Sequence, residues 1–121
     1  METKKSESGK QKLHLDLIST DKSITIQYAA FKNCISLHSV IFPKIPKDKI
    51  LTIEKEAFSG CKSLRTVVVW NGEAEIDTDA FRGCDTEKLV FVTNNTNTNC
   101  SVARFAREHG FQCVVADSIM N

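Results

Sequence analysis

Apolar residues return at fixed places along this chain. Ile26 is followed by Ala30–Phe31, Cys34, Leu37, Val40 and Phe42, and Ile53 by Ala57–Phe58, Cys61, Leu64, Val67 and Val69. A third pass runs Ile76, Ala80–Phe81, Cys84, Val90 and Val92, with Glu87 in the Leu slot and Leu89 two positions later. The Phe-to-Phe steps are 27 and 23 residues. A unit that short cannot close a core alone, so units must stack with their recurring slots inward. The pattern therefore predicts internal ladders of Ile26/Ile53/Ile76, Ala30/Ala57/Ala80 and Phe31/Phe58/Phe81. Cys34, Cys61 and Cys84 lie beside them as small buried hydrophobes.

Between the slots, local composition assigns the elements. Arg65–Trp70 and Lys88–Thr93 are β-branched or aromatic runs, and His38–Phe42 is their weaker counterpart, so each unit contributes a strand to a parallel ladder. The Lys55–Ser59 type of segment reads as one helical turn ended by Gly60 or Gly83, with Asn33 in the same place of the first unit. Asn71–Gly72 is a tight turn. Leu13–Ile18 alternates apolar with polar, as an edge strand over the first unit should. After the polar loop 94–99 a helix is predicted, with Asn99 or Ser101 at its N-cap and Gly110 as its stop. Its Val102, Phe105, Ala106 and His109 share one face, and Phe111–Val115 reads as a closing strand. The expected fold class is α/β: a short solenoid of parallel strands and short helical turns, capped by a C-terminal helix and strand. Its domain spans 13–115, with repeats at about 24–42, 51–70 and 74–93, a cap at 99–115, and tails at 1–12 and 116–121.

The A-F-x-x-C-x-x-L-x-x-V unit, as in Ala57–Val67, resembles the BspA-like leucine-rich repeats. The likeness runs from about Ile24 to Val92, and Ser101–Phe111 is similar to the helix-Gly segment that often ends such arrays. The resemblance implies a leucine-rich-repeat solenoid that binds other molecules, often at cell surfaces, and it brings no catalytic residues.

Length and charge narrow the function further. A chain of 121 residues is one domain. Its 16 Lys+Arg against 15 Asp+Glu give a net charge of +1, too little field for a general grip on nucleic acid. No apolar run reaches the roughly 18 residues of a membrane span, so no membrane insertion is expected. The charged start, Met1–Lys12, has no apolar segment behind it and is not read as a secretion signal. The expected compartment is the cytoplasm for the chain as given, against the cell surface implied by the resemblance. Five Cys, with no Cys-x-x-Cys pair, read as free thiols. In an oxidising compartment a Cys100–Cys113 bridge is the alternative.

No catalytic, metal or cofactor site is expected. His14, His38 and His109 are assigned to separate parts of the array, and a ladder spreads Cys34, Cys61 and Cys84 along an axis by about 5 Å per step. Asp77 and Asp79 fall in a solvated turn. Asn94-Asn-Thr96 and Asn99-Cys-Ser101 are sequons that loop composition alone explains.

Strand parity then suggests a contact surface. If Val40/Phe42, Val67/Val69 and Val90/Val92 point inward, Ile41, Val68 and Phe91 form an outward row beside Trp70. His38, Arg65 and Lys88 share the fourth place after Cys and line that row as a basic rim. The expected partner is a protein or peptide bound on this face. The alternative is a terminal or self-associating piece of a larger repeat protein, with the face covered by the helix, by loop 43–50 or by a neighbouring chain. That loop, with two Pro and three Lys, is read as a tolerated insertion or as a contact for an acidic partner.

Overall fold

The computed structural model describes residues 12–18 and 20–116, and the predicted tails lie almost wholly outside them. The chain winds as a solenoid through β1 (Leu13–Asp16), β2 (Ile24–Ile26), β3 (Leu37–Phe42), β4 (Leu51–Ile53), β5 (Thr66–Val69), β6 (Glu75–Ile76), β7 (Val90–Thr93), α1 (Ser101–His109) and β8 (Gln112–Val115). Odd-numbered strands and β8 build a five-stranded parallel sheet in the order β1-β3-β5-β7-β8. The others form a three-stranded sheet, β2-β4-β6. This second sheet was not expected. Its signal is the short alternation Ile24-Thr-Ile26, Leu51-Thr-Ile53 and Ala74-Glu-Ile76, which places the Ile slots in one register row.

The predicted ladders hold the coils together. Phe31 and Phe58 stack at 5.3 Å between ring centroids, and Phe58 and Phe81 at 5.2 Å, with interplanar angles of 6° and 13°. Backbone bonds run alongside: Phe31 N–H donates to Ala57 O, Phe58 N–H to Ala80 O, and Gly60 N–H to Arg82 O, each at 2.8 Å. Cysteine suits its slot for a further reason. The Cys61 thiol donates to Phe31 O at 3.1 Å and the Cys84 thiol to Phe58 O at 3.3 Å, so each joins its coil to the one before. A methyl in that slot would fill the space and lose the donor.

The segments between the Ile and Leu slots are successive turns rather than one helical turn. Ala57 N–H reaches Glu54 O, Ser59 reaches Glu56 and Cys61 reaches Phe58, each three residues back. Left-handed backbone at Glu56 (φ 60°) and Gly60 (φ 75°) stops these turns from merging into a helix. As expected, Asn33 (φ 60°), Gly60 and Gly83 (φ 85°) share the left-handed corner.

The C-terminal end is closed by α1, which takes the place of a fourth strand beside β6. Val102 N–H donates to Gly72 O at 3.0 Å, and Ser101 Oγ accepts from Ala74 N–H at 2.8 Å. Cys100, not Asn99 or Ser101, occupies the N-cap, without a side-chain cap bond. The Ser101 hydroxyl instead ties the helix to the preceding coil. Gly110 (φ 82°) ends α1 as predicted. Phe105 and Phe111 meet Phe81 and Phe91 in one aromatic cluster, with centroids 5.2–6.5 Å apart.

Candidate functional site

The outer face of the five-stranded sheet is the candidate surface. Register places Asp16, Ile41, Val68, Val92 and Val114 in one outward row. His14, Ser39, Thr66, Val90 and Gln112 form the row beside it. Helix α1 does not cover this face, because Val102, Phe105 and Ala106 turn into the core at the end of the solenoid. Loop 43–50 runs beside the end of that face: Pro43 and Ile45 line a small pocket with Trp70, and Asn71 Nδ2 donates to Ile45 O at 3.4 Å. Ile45 packs on the core, so the loop has an anchor of its own.

One expected contact residue is misplaced. Phe91 is 0% exposed and belongs to the core, paired with Val67 rather than Val68. Phe91 follows Cys84 by seven residues, where Val67 follows Cys61 by six. The extra residue is absorbed in a turn held by Asp85, whose Oδ1 accepts from Glu87 N–H at 2.9 Å and whose carbonyl accepts from Leu89 N–H at 3.0 Å. Leu89, not Glu87, fills the Leu slot, fully buried. A one-residue slip inverts strand parity. Val92 therefore takes the outward place predicted for Phe91, and Val90 also faces out.

The slip also breaks the basic rim. Arg65 N–H donates to His38 O at 2.8 Å, so those two residues stack. Val90 N–H donates to Arg65 O at 2.9 Å, which puts Leu89 in that column and Lys88 outside it. Arg65 Nη1 is turned back on Lys62 O at 3.2 Å and Leu64 O at 3.3 Å. Ile41 and Trp70 are half-buried. Val68 faces outward, outside the main core, and is nonetheless 1% exposed; Thr66 and Trp70 flank it on its strand, and Ile41 and Val92 across the sheet.

His14 and His38 are neighbours, not residues of separate regions. Their rings lie 6.2 Å apart, and His14 Nδ1 is 2.6 Å from Ser39 Oγ. His109 stacks on Phe105 at 4.1 Å and donates from Nδ1 to Phe105 O. Among the described residues no group of three or more His, Cys, Asp or Glu is placed to hold a metal ion. All five Cys are free thiols. Burial pushes Cys61 up to about 11 and Cys84 up to about 12, and raises Cys34 and Cys113 as well. A thiol held protonated is a poor nucleophile and a poor ligand. Among the described residues no helix is long and apolar enough to cross a membrane.

Stacked coils, a ladder of phenylalanines and an outer sheet face define a small solenoid repeat protein. The chain belongs to the BspA type leucine-rich repeat family, whose model matches residues 11–108 in six copies. No curated protein and no solved structure matches the chain. The family is a repeat module of interaction or structural type and is generally non-catalytic.

Proposed function

We propose that the chain is a non-catalytic module that binds a protein or peptide on the outer face of the five-stranded sheet. The observation that carries this reading is the apolar row Ile41, Val68, Val92 and Val114 beside Trp70, on a face that the capping helix leaves open. Val114 is 43% exposed and Ile41 half-buried, while Val68 and Val92, at 1% and 7%, form the floor of the row. Aliphatic rows on a sheet face favour a contact surface over solvent, and Trp is enriched where binding energy concentrates. His38 and Arg65 border the row as polar rim, and Lys88 contributes from outside their column. Phe91 supports the face from beneath.

A photo-crosslinking amino acid placed at Trp70, and separately at Lys62 in a turn, tests the reading in lysate of the source cells. Adducts from position 70 that are absent from position 62, and that Val114→Asp removes while the melting temperature holds, support it. Equal labelling from both positions would refute it. The second reading is a structural piece of a larger repeat protein, which the edges of β1 and β8, unpaired among the described residues, favour.

A further inference from the structure

Three successive turns meet at one end of the five-stranded sheet. Loop 43–50 leaves β3, turn 71–73 leaves β5, and residues 94–95 leave β7. Side-chain amides tie them together: Asn71 Nδ2 donates to Ile45 O at 3.4 Å, and Asn95 Nδ2 donates to Asn71 O at 2.9 Å. Thr93 Oγ1 accepts from Asn95 N–H and donates to Trp70 O, both at 3.1 Å. Between the turns lies a cavity of about 410 Å3, lined on the loop by Ile45, Pro46, Lys47 and Lys49 and otherwise by Glu73 and three Asn side chains. That volume is in the range of ligand pockets, about 300–1,000 Å3. Ile45, Asn71 and Glu73 also line the small pocket against Trp70. The cavity therefore continues the outer sheet face beyond its strands.

Its charge is positive and unanswered. Lys49 reaches only the neighbouring Asp48, at 3.9 Å, and Lys47 has no ion-pair partner among the described residues. Asp48 stays out of the lining, where Glu73 is the one acid. The Glu73 carboxylate accepts from Ser101 N–H at 3.4 Å, at the start of α1, where the helix carries partial positive charge. Glu73 is thus engaged from within the chain, and the two ammonium groups are not. The groove over the three-stranded sheet has the opposite character, with Glu54, Glu75 and Asp77 lining it against Lys55. A net charge of +1 therefore conceals two grooves of opposite sign.

We propose that the cavity takes the carboxylate side chains of an acidic peptide, and that this peptide is the partner whose apolar residues lie on the sheet face. The inference rests on the binding role proposed above and adds the chemistry of the partner. Lys47 and Lys49 supply charge-assisted hydrogen bonds to the carboxylates. Asn94, on the rim, offers a neutral amide donor. The amide ties and the two Pro of loop 43–50 hold the walls before the peptide arrives, which lowers the ordering cost of binding. The acidic groove on the three-stranded sheet repels the same peptide and leaves it one place to settle.

Selection from a displayed library of random peptides, with the full chain as bait, tests this. Lys47→Glu/Lys49→Glu, Lys62→Glu and Val114→Asp serve as parallel baits. All four positions are exposed, and circular dichroism checks that each variant folds. The expected result is enrichment of Asp and Glu on the wild type and on Lys62→Glu, lost on the double variant. The best wild-type peptide should bind the double variant about tenfold more weakly, as expected when two rim ion pairs become repulsions. Peptides with no acidic enrichment, or enrichment that survives the double reversal, overturn the proposal. So does a library that yields no binder, and so does equal loss on Lys62→Glu, which means general attraction only. Neutral peptides that still require Val114 overturn the cavity and keep the sheet-face reading. Acidic peptides that require the lysines but bind Val114→Asp unchanged keep the cavity and refute the sheet face.

Discussion

Truncating Phe91 and Val92 in turn tests whether the one-residue slip before β7 is real. The two residues are adjacent on one strand, and both are β formers, so strand propensity separates them little. Their surroundings differ. Phe91 is fully buried and meets Phe81 at 5.2 Å, Phe111 at 5.6 Å and Phe105 at 5.9 Å. Removing such a ring costs about 3–5 kcal/mol, since the capping helix cannot collapse fully into the space. For a domain near 100 residues each kcal/mol moves the melting temperature by about 4 °C, so Phe91→Ala should melt roughly 12–20 °C lower. Val92 faces outward and lies outside the main core, though only 7% exposed, so losing two of its methyl-sized groups should cost about 1.6 kcal/mol, or about 6 °C. Calorimetric melts of the wild type and the two variants check this directly. Equal losses, or a larger loss for Val92→Ala, would mean that unbroken parity continues into β7 and that Phe91 faces out.

Other outcomes follow from the same packing. Gly60→Ala adds a Cβ at φ +75° that overlaps Asn33 Oδ1; it should destabilise by about 2 kcal/mol or more by urea titration, and Asn33→Gly in the same chain should recover part of the loss. In native protein at pH 8, iodoacetamide should label half-buried Cys34 and Cys113 before buried Cys61 and Cys84, as peptide mapping will show. Unfolded thiols ionise near 9.0, whereas folded Cys61 and Cys84 keep their protons to about 11 and about 12. Above pH 9.0 the unfolded chain therefore holds fewer protons, so stability should fall as pH rises through that window and fall less steeply in Cys61→Ala/Cys84→Ala. Ending the chain at Asn99 strips α1 from Phe81 and Phe91; the product should lose its cooperative melt and bind a hydrophobic dye.

The repeat was legible in the sequence because stacking imposes identical demands on every coil. A ring must fit above a ring, a methyl above a methyl and a thiol beneath a carbonyl, so the same residues recur at Phe31, Phe58 and Phe81 and at Cys34, Cys61 and Cys84. The left-handed corner at Asn33, Gly60 and Gly83 and the helix stop at Gly110 were readable for a local reason, since few residue types tolerate positive φ. Leu89 in place of Glu87 was visible as well, but its consequence depends on where the surplus residue is absorbed. Only the Asp85 turn decided that, and with it whether Phe91 or Val92 reaches the outer face. The meeting of His14 with His38 likewise came from pairing between β1 and β3, residues more than twenty apart. So did the use of Ser101 as a tie to Ala74 rather than as a helix cap. Spacing along the chain specifies which slots are filled; register between coils, set by backbone bonds that no single segment contains, specifies which way each side chain points.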